Sequence, residues 1–333
     1  MKKMKRGDMM KKSYVGLDIH EESITGIALD EKGVTEFYDD FPNTKEAIQG
    51  FLSGVPSPQI TIAIEACELW RGVYYILSEL EYEVVLANPA KTRQIAGVKK
   101  TDKVDATTLA ELLRIGYLPW VHIPGKGILL IRDVTRHRKR LVNDLTRLKC
   151  RAKSYLRREG IKFPKTWNKE TYEFFRNASL HTGQLVNVMD TINLQIKEVD
   201  KEIRVIARNT PLSGVLRTTP GIGNFGSLMI IGEVSEVTRF PRPKNLVNYA
   251  GLCPGIYQSG SKSHPVRNKA CNKYLKWIMY ECSGKAITMD TKYKTHYWKL
   301  FKRKGEHTAR RSTARKMLTD VWYMLTYEEP YRP

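Results

Sequence analysis

Hydrophobic and polar positions over the first ninety residues change period several times. Ser13-Tyr14-Val15-Gly16-Leu17-Asp18-Ile19-His20 is apolar on nearly every side until its acid. That is the pattern of a strand buried on both faces. A second β-forming run, 23–29, follows after a short polar connection, which predicts a hairpin. Residues 34–38 predict a third strand after the turn at Glu31-Lys32-Gly33. A helix is predicted from 44 to about 52, and a strand over 59–64 that also ends in an acid, Glu65. Leu69, Val73, Ile76, Leu77 and Leu80 form one helical stripe. A last strand over 83–87 is stopped by Asn88-Pro89. This alternation predicts a mixed sheet with helices, an α/β domain over about 13–125.

Downstream the period becomes helical. Lys99-Lys100-Thr101-Asp102-Lys103-Val104-Asp105-Ala106 leads into a helix through Leu109, Leu112, Leu113 and Ile115, with Thr101 or Asp102 as N-cap. From 128 to 159 the pattern is one long helix, with Leu130, Val134, His137, Leu141, Leu145, Leu148 and Ala152 as its stripe; His137 reads as a packed histidine. Residues 160–177 read as an aromatic-rich break. A second long helix follows, with Leu185, Met189, Ile192, Ile196, Val199, Ile203 and Ile206 spaced alternately four and three, a coiled-coil seam. The seam fits an intramolecular hairpin with the preceding helix or a dimer contact. Two long helices over 126–209 thus separate the first domain from a mostly α-helical one, 210–333. Its Thr219-Pro220-Gly221-Ile222-Gly223 turn resembles a helix-hairpin-helix element, whose backbone N–H groups can face phosphates. Residues 257–264 carry no apolar pattern and read as a loop. Helices are predicted over 273–286 and 309–327.

Charge adds a partner. Lysine and arginine number 56 against 35 acidic residues, a formal charge of +21 in 333 residues. Such a balance points to a polyanion. Arg136, Arg138, Lys139, Arg140, Arg147, Lys149, Arg151, Lys153, Arg157 and Arg158 crowd the first long helix with charge of one sign, which nucleic acid would relieve. Between the last two helices, Lys292, Lys294, Lys299, Lys302, Arg303 and Lys304 interleave with Tyr293, Tyr297, Trp298 and Phe301, suiting backbone tracking and base stacking. Residues 1–12 read as a basic disordered arm and not as a secretory signal. No apolar stretch has the length to span a bilayer, so no membrane partner is expected. Five cysteines without close paired spacing predict reduced thiols in a cytoplasmic protein.

The candidate chemistry lies in the acids and one loop. Asp18 is a metal ligand or an ordinary turn residue. Asp102 and Asp105, three apart on a helix start, share a face. They complement the helix dipole, or they join Asp18 and Glu65 in a metal site that handles phosphates. Ligand sites in open α/β sheets lie off the carboxyl ends of strands, where acids from different strands converge. The loop Tyr257-Gln258-Ser259-Gly260-Ser261-Lys262-Ser263-His264, with Arg267 and Lys269 beyond it, is an exposed connection or holds a serine nucleophile towards a phosphodiester.

In this order the motifs resemble one family, the insertion-sequence transposases called "one-ten", which include the Piv-type DNA invertases. The resemblance covers nearly the whole chain after the basic arm. Gly16-Leu17-Asp18-Ile19-His20, Ile64-Glu65-Ala66 and Thr101-Asp102-Lys103-Val104-Asp105-Ala106 are similar to that family's RuvC-like (RNase H-like) domain with its four acids. Thr219 to Gly223, Ala250-Gly251-Leu252, Pro254 and Ser259-Gly260 are similar to its C-terminal transposase domain. The resemblance implies a site-specific recombinase acting on donor and target double-stranded DNA, guided by a structured RNA that the element encodes. It implies that Asp18, Glu65, Asp102 and Asp105 hold Mg²⁺ or Mn²⁺, and that Ser259 forms a covalent intermediate. Ser259 is preferred to Ser261 and Ser263 because Gly260 follows it and permits close backbone approach to a phosphate. The metal and serine halves fall in different domains and meet within one protomer or between protomers of a homo-oligomer, a dimer or a tetramer. The competing readings are a RuvC-like nuclease that uses water and a non-catalytic nucleic-acid scaffold.

Overall fold

A computed structural model describes residues 11–95, 101–253, 255–259, 262–266, 270–289 and 291–333, with 255–259 and 262–266 described by backbone alone. The chain divides into two compact units, Met1–Ile123 and Pro124–Pro333. The arm read over 1–12 lies outside the described residues up to position 10, as do Lys99 and Lys100.

The first unit is a five-stranded sheet: β1 Lys12–Ile19, β2 Ser23–Leu29, β3 Thr35–Pro42, β4 Gln59–Glu65 and β5 Glu83–Ala87. The order is β3-β2-β1-β4-β5. β1, β2 and β3 pair antiparallel, while β4 runs parallel to both β1 and β5. Four helices accompany the sheet: α1 Lys45–Gly54, α2 Trp70–Glu79, α3 Pro89–Ile95 and α4 Asp102–Arg114. Alternation along the central strands sorts their side chains between two cores. Val15, Leu17, Ile62 and Ile64 share a buried cluster with Ile48 and Phe51 of α1 and Val73 and Leu77 of α2. Ala63 clusters instead with Leu109 and Leu112 of α4. The helix α3, directly after the Asn88-Pro89 stop, was not legible in the periodicity.

The second unit is helical. α5 Lys126–Arg158, α6 Lys169–Ala178 and α7 Leu180–Arg208 come first. α5 and α7 run antiparallel, since Arg138 bonds Asp200 while Ala152 and Leu156 share a cluster with Val186 and Met189. The heptad residues of α7 thus face the preceding long helix within the unit. The aromatic break contains α6, whose Asn168 side chain caps the amide of Thr171 and whose Phe175 is fully buried. The stripe on α5 also differs from the expected one. Leu129, Ile131, Thr135, Leu141, Leu145, Ala152 and Leu156 are buried, whereas Leu130 and His137 are exposed. The neighbour of α5 changes along its length, with contacts to both α7 and the later helix Asn224–Val234, so no single stripe serves all 33 residues.

α8 Pro211–Arg217 and α9 Asn224–Val234 flank the Gly221 turn. Gly221 has φ +88°, and a Cβ there would stand 2.5 Å from the Cys282 carbonyl, so the turn is packed tightly on the helix behind it. α10 Pro243–Tyr249 leads to a hairpin, β6 Gly255–Ser259 and β7 Lys262–Val266, in the segment read as a loop. α11 Lys273–Thr288, α12 Lys292–Lys304 and α13 Glu306–Tyr327 complete the chain. The interleaved basic segment is therefore α12. Its Tyr293 and Tyr297 are buried, the former donating to Asp320 Oδ2 at 2.7 Å, while Trp298 and Phe301 are exposed. Among the described residues, no helix is long and apolar enough to cross a membrane.

Candidate active site

The acid site of the first unit follows from strand register. β1 and β4 are parallel with Leu17 level with Ile64, which puts Asp18 beside Glu65 at the carboxyl ends of neighbouring strands. Side chains two apart on a strand share a face. Asp18 thus lies on the face of Gly16, and Glu65 on the face of Ala63, which packs on α4. α4 is fixed by its own start: the Thr101 hydroxyl accepts from the Val104 amide, and Asp102 and Asp105 occupy the first turn. The four acids line a single cleft of about 320 Å³ together with His20, Cys67 and Arg93.

Asp102 is exposed, Glu65 and Asp105 are partly buried, and so is Asp18. Burial pushes its carboxyl above the usual range, and Asp105 and Asp102 push it further, against the opposing pull of His20. His20 Nε2 lies 3.3 Å from Asp18 Oδ2 and 3.5 Å from Asp102 Oδ1. A buried carboxylate next to other acids is costly unless a cation or donors compensate. Asp18, His20 and Asp102 each bring one donor atom within 4.8 Å of the others. Carboxylate oxygens are the donors that hard divalent ions prefer, so this set fits Mg²⁺ or Mn²⁺. His20 and Arg93 were not given roles from the sequence. His20 stands in the Asp18 segment and could have been found; Arg93, one arginine among many, had no signal.

In the second unit, Ser259 closes β6 and its backbone pairs with Lys262 of β7. Ser263 lies within β7, and Gly260, Ser261, Arg267 and Lys269 lie outside the described residues. The two ends of this hairpin segment are tied together. The Asn272 amide donates to the Tyr249 carbonyl at 2.8 Å, and Asn272 Nδ2 lies 3.0 Å from the Tyr249 hydroxyl. The same Nδ2 donates at 2.8 Å to Glu233, a fully buried carboxylate on α9. Arg136 of α5 grips Glu233 with two bonds of 2.7 and 2.8 Å. Glu233 was invisible to pattern reading, as an acid inside the apolar run 228–234.

That pairing also corrects the reading of α5 as a uniform polyanion face. Arg136 is spent on Glu233, Arg138 on Asp200 and the Phe225 ring, and Lys139 lies over the Trp277 ring at 4.2 Å. The exposed cations are farther along, at Arg140, Arg147, Arg151, Arg157 and Arg158.

Comparison with known proteins finds family matches in both halves of the chain. The family model for DEDD transposases of the IS110 type matches residues 15–160, and that of the transposase IS116/IS110/IS902 family matches residues 213–298. The transposase for insertion sequence element IS1111A of Coxiella burnetii is 22% identical over 354 residues, covering 99% of this chain and 94% of its own. The transposase for insertion sequence element IS1533 of Leptospira borgpetersenii is 28% identical over 266 residues, 74% of this chain and 76% of its own. A putative transposase, y4qE, of Sinorhizobium fredii is 21% identical over 282 residues, 82% of this chain and 71% of its own. With two models of one kind matched in order over most of its length, the chain belongs to the IS110/IS116 family of insertion-sequence transposases.

Proposed function

We propose that this transposase cuts and rejoins DNA through a covalent phosphoserine intermediate, with Asp18, Glu65, Asp102 and Asp105 holding Mg²⁺ or Mn²⁺ and Ser259 as nucleophile. The observation that carries the reading is the convergence of four carboxylates, from two strand ends and one helix start, in a single cleft. The sheet order and the placement of these acids support a RuvC-like domain. The bound ion would stabilise negative charge on the attacking and leaving oxygens.

The chain's own groups have distinct tasks. The sheet fixes Asp18 and Glu65, and the capped start of α4 presents Asp102 and Asp105, so the acids are held before substrate arrives. Arg93 puts a cation at the same cleft for the phosphate's non-bridging oxygens. Attack by the Ser259 hydroxyl forms an O–P bond as the bond from phosphorus to one sugar oxygen breaks. The serine proton is lost, and the leaving oxygen takes up a proton. Attack by a sugar hydroxyl of the incoming strand reverses these steps, frees Ser259 and joins the strands. The phosphodiester energy is conserved throughout, so no high-energy cofactor is required.

The reading includes donor and target double-stranded DNA, a structured guide RNA from the element and a homo-oligomer that unites serine and acids. The charge of +21 supports polyanionic partners. The test is covalent trapping on element-end DNA, with the serines mutated one at a time. A detergent-resistant protein–DNA adduct lost in Ser259→Ala but kept in Ser261→Ala and Ser263→Ala is expected. Full strand cleavage by Ser259→Ala would instead establish a nuclease that uses water.

A further inference from the structure

A second cleft, of about 630 Å³, lies in the C-terminal unit between α10, α12 and α13. Its charged lining is all of one sign, Arg242 and Lys244 from the start of α10 and Arg315 and Lys316 from α13, with His296 of α12 beside them. Among the described residues, these four lysines and arginines make no ion pair with a carboxylate. His296 lies among these cations. Burial, then Lys316, Arg315 and Lys299, lower its pKa. Its Nε2 lies 3.0 Å from the Ser312 hydroxyl, which joins α12 to α13 at the cleft.

Cations gathered without counter-charge repel one another, and a polyanion relieves that repulsion. The lining also continues beyond the cleft. His296, Lys299 and Arg303 recur three and four apart on α12, and Arg311 precedes Arg315 by four on α13, so each set follows one helix face. A track of this kind fits a polymer of phosphates better than one mononucleotide. Cys253, at the cleft wall, stands six residues before Ser259 and leads into its hairpin.

We propose that this cleft seats the phosphodiester backbone of a DNA segment beside the serine hairpin, with Arg242, Lys244, Arg315 and Lys316 contacting successive phosphates. The choice of DNA rests on the transposase reading above. The tests need no cleavage, so their failure leaves the serine assignment standing, and failure of that assignment leaves them readable.

The first test measures binding of a 30-base-pair duplex of arbitrary sequence to the full chain by fluorescence anisotropy across a salt series. Each phosphate neutralised adds about 0.9 to the slope of log K against log salt. The fourfold variant Arg242→Gln, Lys244→Gln, Arg315→Gln, Lys316→Gln is expected to lower that slope by about 3.6. The matched variant Lys197→Gln, Lys201→Gln, Arg204→Gln, Arg208→Gln on the exposed side of α7 is expected to lower it by less than one. An equal drop in both variants overturns the proposal. The second test uses the native chain: alkylation of Cys253 by N-ethylmaleimide, followed by peptide mass spectrometry, slows at least fivefold in saturating duplex DNA. An unchanged Cys253 rate overturns the proposal, as does protection by double-stranded RNA with none by DNA.

Discussion

Gly16 of β1 and Ala106 of α4 approach so closely that a Cβ on Gly16 would stand 2.1 Å from the Ala106 carbonyl oxygen and 2.7 Å from the Ala110 amide nitrogen. The contact sits two residues before Asp18 and one after Asp105. It therefore sets the distance between the strand half and the helix half of the acid cleft. Real Cβ atoms are not accommodated at such separations, and both partners are backbone atoms that cannot swing aside. Gly16→Ala is expected to push α4 off the sheet, lowering stability on the order of 3 kcal/mol by urea denaturation. It should also weaken Mn²⁺ binding although no acid is altered.

Asp18 links pH to stability. Its pKa is raised in the folded state, so its contribution is fully present below the unfolded pKa and is lost as pH rises through the folded one. In chelator, the melting temperature of the wild type should therefore fall across that window. Asp18→Asn should flatten this part of the profile and melt higher than wild type at neutral pH while abolishing strand exchange. Adding Mn²⁺ should raise the wild-type midpoint and leave the variant's unchanged. Thermal melts in EDTA and in Mn²⁺ from acidic to neutral pH measure all three.

Glu233 joins α5, α9 and the two ends of the hairpin segment. Glu233→Ala leaves the Arg136 guanidinium half-buried without its carboxylate and is expected to cost about 3–5 kcal/mol. Adding Arg136→Met should recover part of that loss, because one of the two cations left uncompensated is then gone while Arg132, 3.9 Å from Glu233, remains. Urea denaturation of the two single variants and the double variant checks the coupling.

The aromatic residues of α12 divide by burial. Trp298→Ala is expected to weaken single-stranded DNA binding by about 1–3 kcal/mol with little change in melting temperature, because its ring is exposed. Tyr293→Phe should do the reverse, losing the bond to Asp320 and stability with no effect on binding. Anisotropy titrations paired with thermal melts separate the two residues.

The readability of each element follows from how local its cause is. β1, β2, β4 and α4 are announced by short-range patterns: apolar runs closed by acids, a tight polar turn, and a threonine cap before an apolar stripe. Their acids were therefore legible as candidates before any fold was known. The hairpin β6–β7 was not, since Tyr257 to His264 carries no alternation and its ends are held by Tyr249 and Asn272, outside the segment. α6 is hidden because its aromatics, Tyr172, Phe174 and Phe175, read as an irregular cluster and its Asn168 cap is a lone start signal. Glu233 lay beyond local reading altogether, because its partner Arg136 is 97 residues away. His137 was misplaced for a related reason: the faces that α5 buries depend on which distant helix lies against each turn.

The most direct test of the central claim is Mn²⁺ binding to the full chain, followed by electron paramagnetic resonance of the free ion. Wild type should take up Mn²⁺ saturably, and Asp18→Asn, Glu65→Gln and Asp105→Asn should each weaken the uptake at least tenfold, while Ser259→Ala leaves it unchanged. Uptake by all three acid variants equal to that of the wild type would contradict the assignment of the cleft as the metal site.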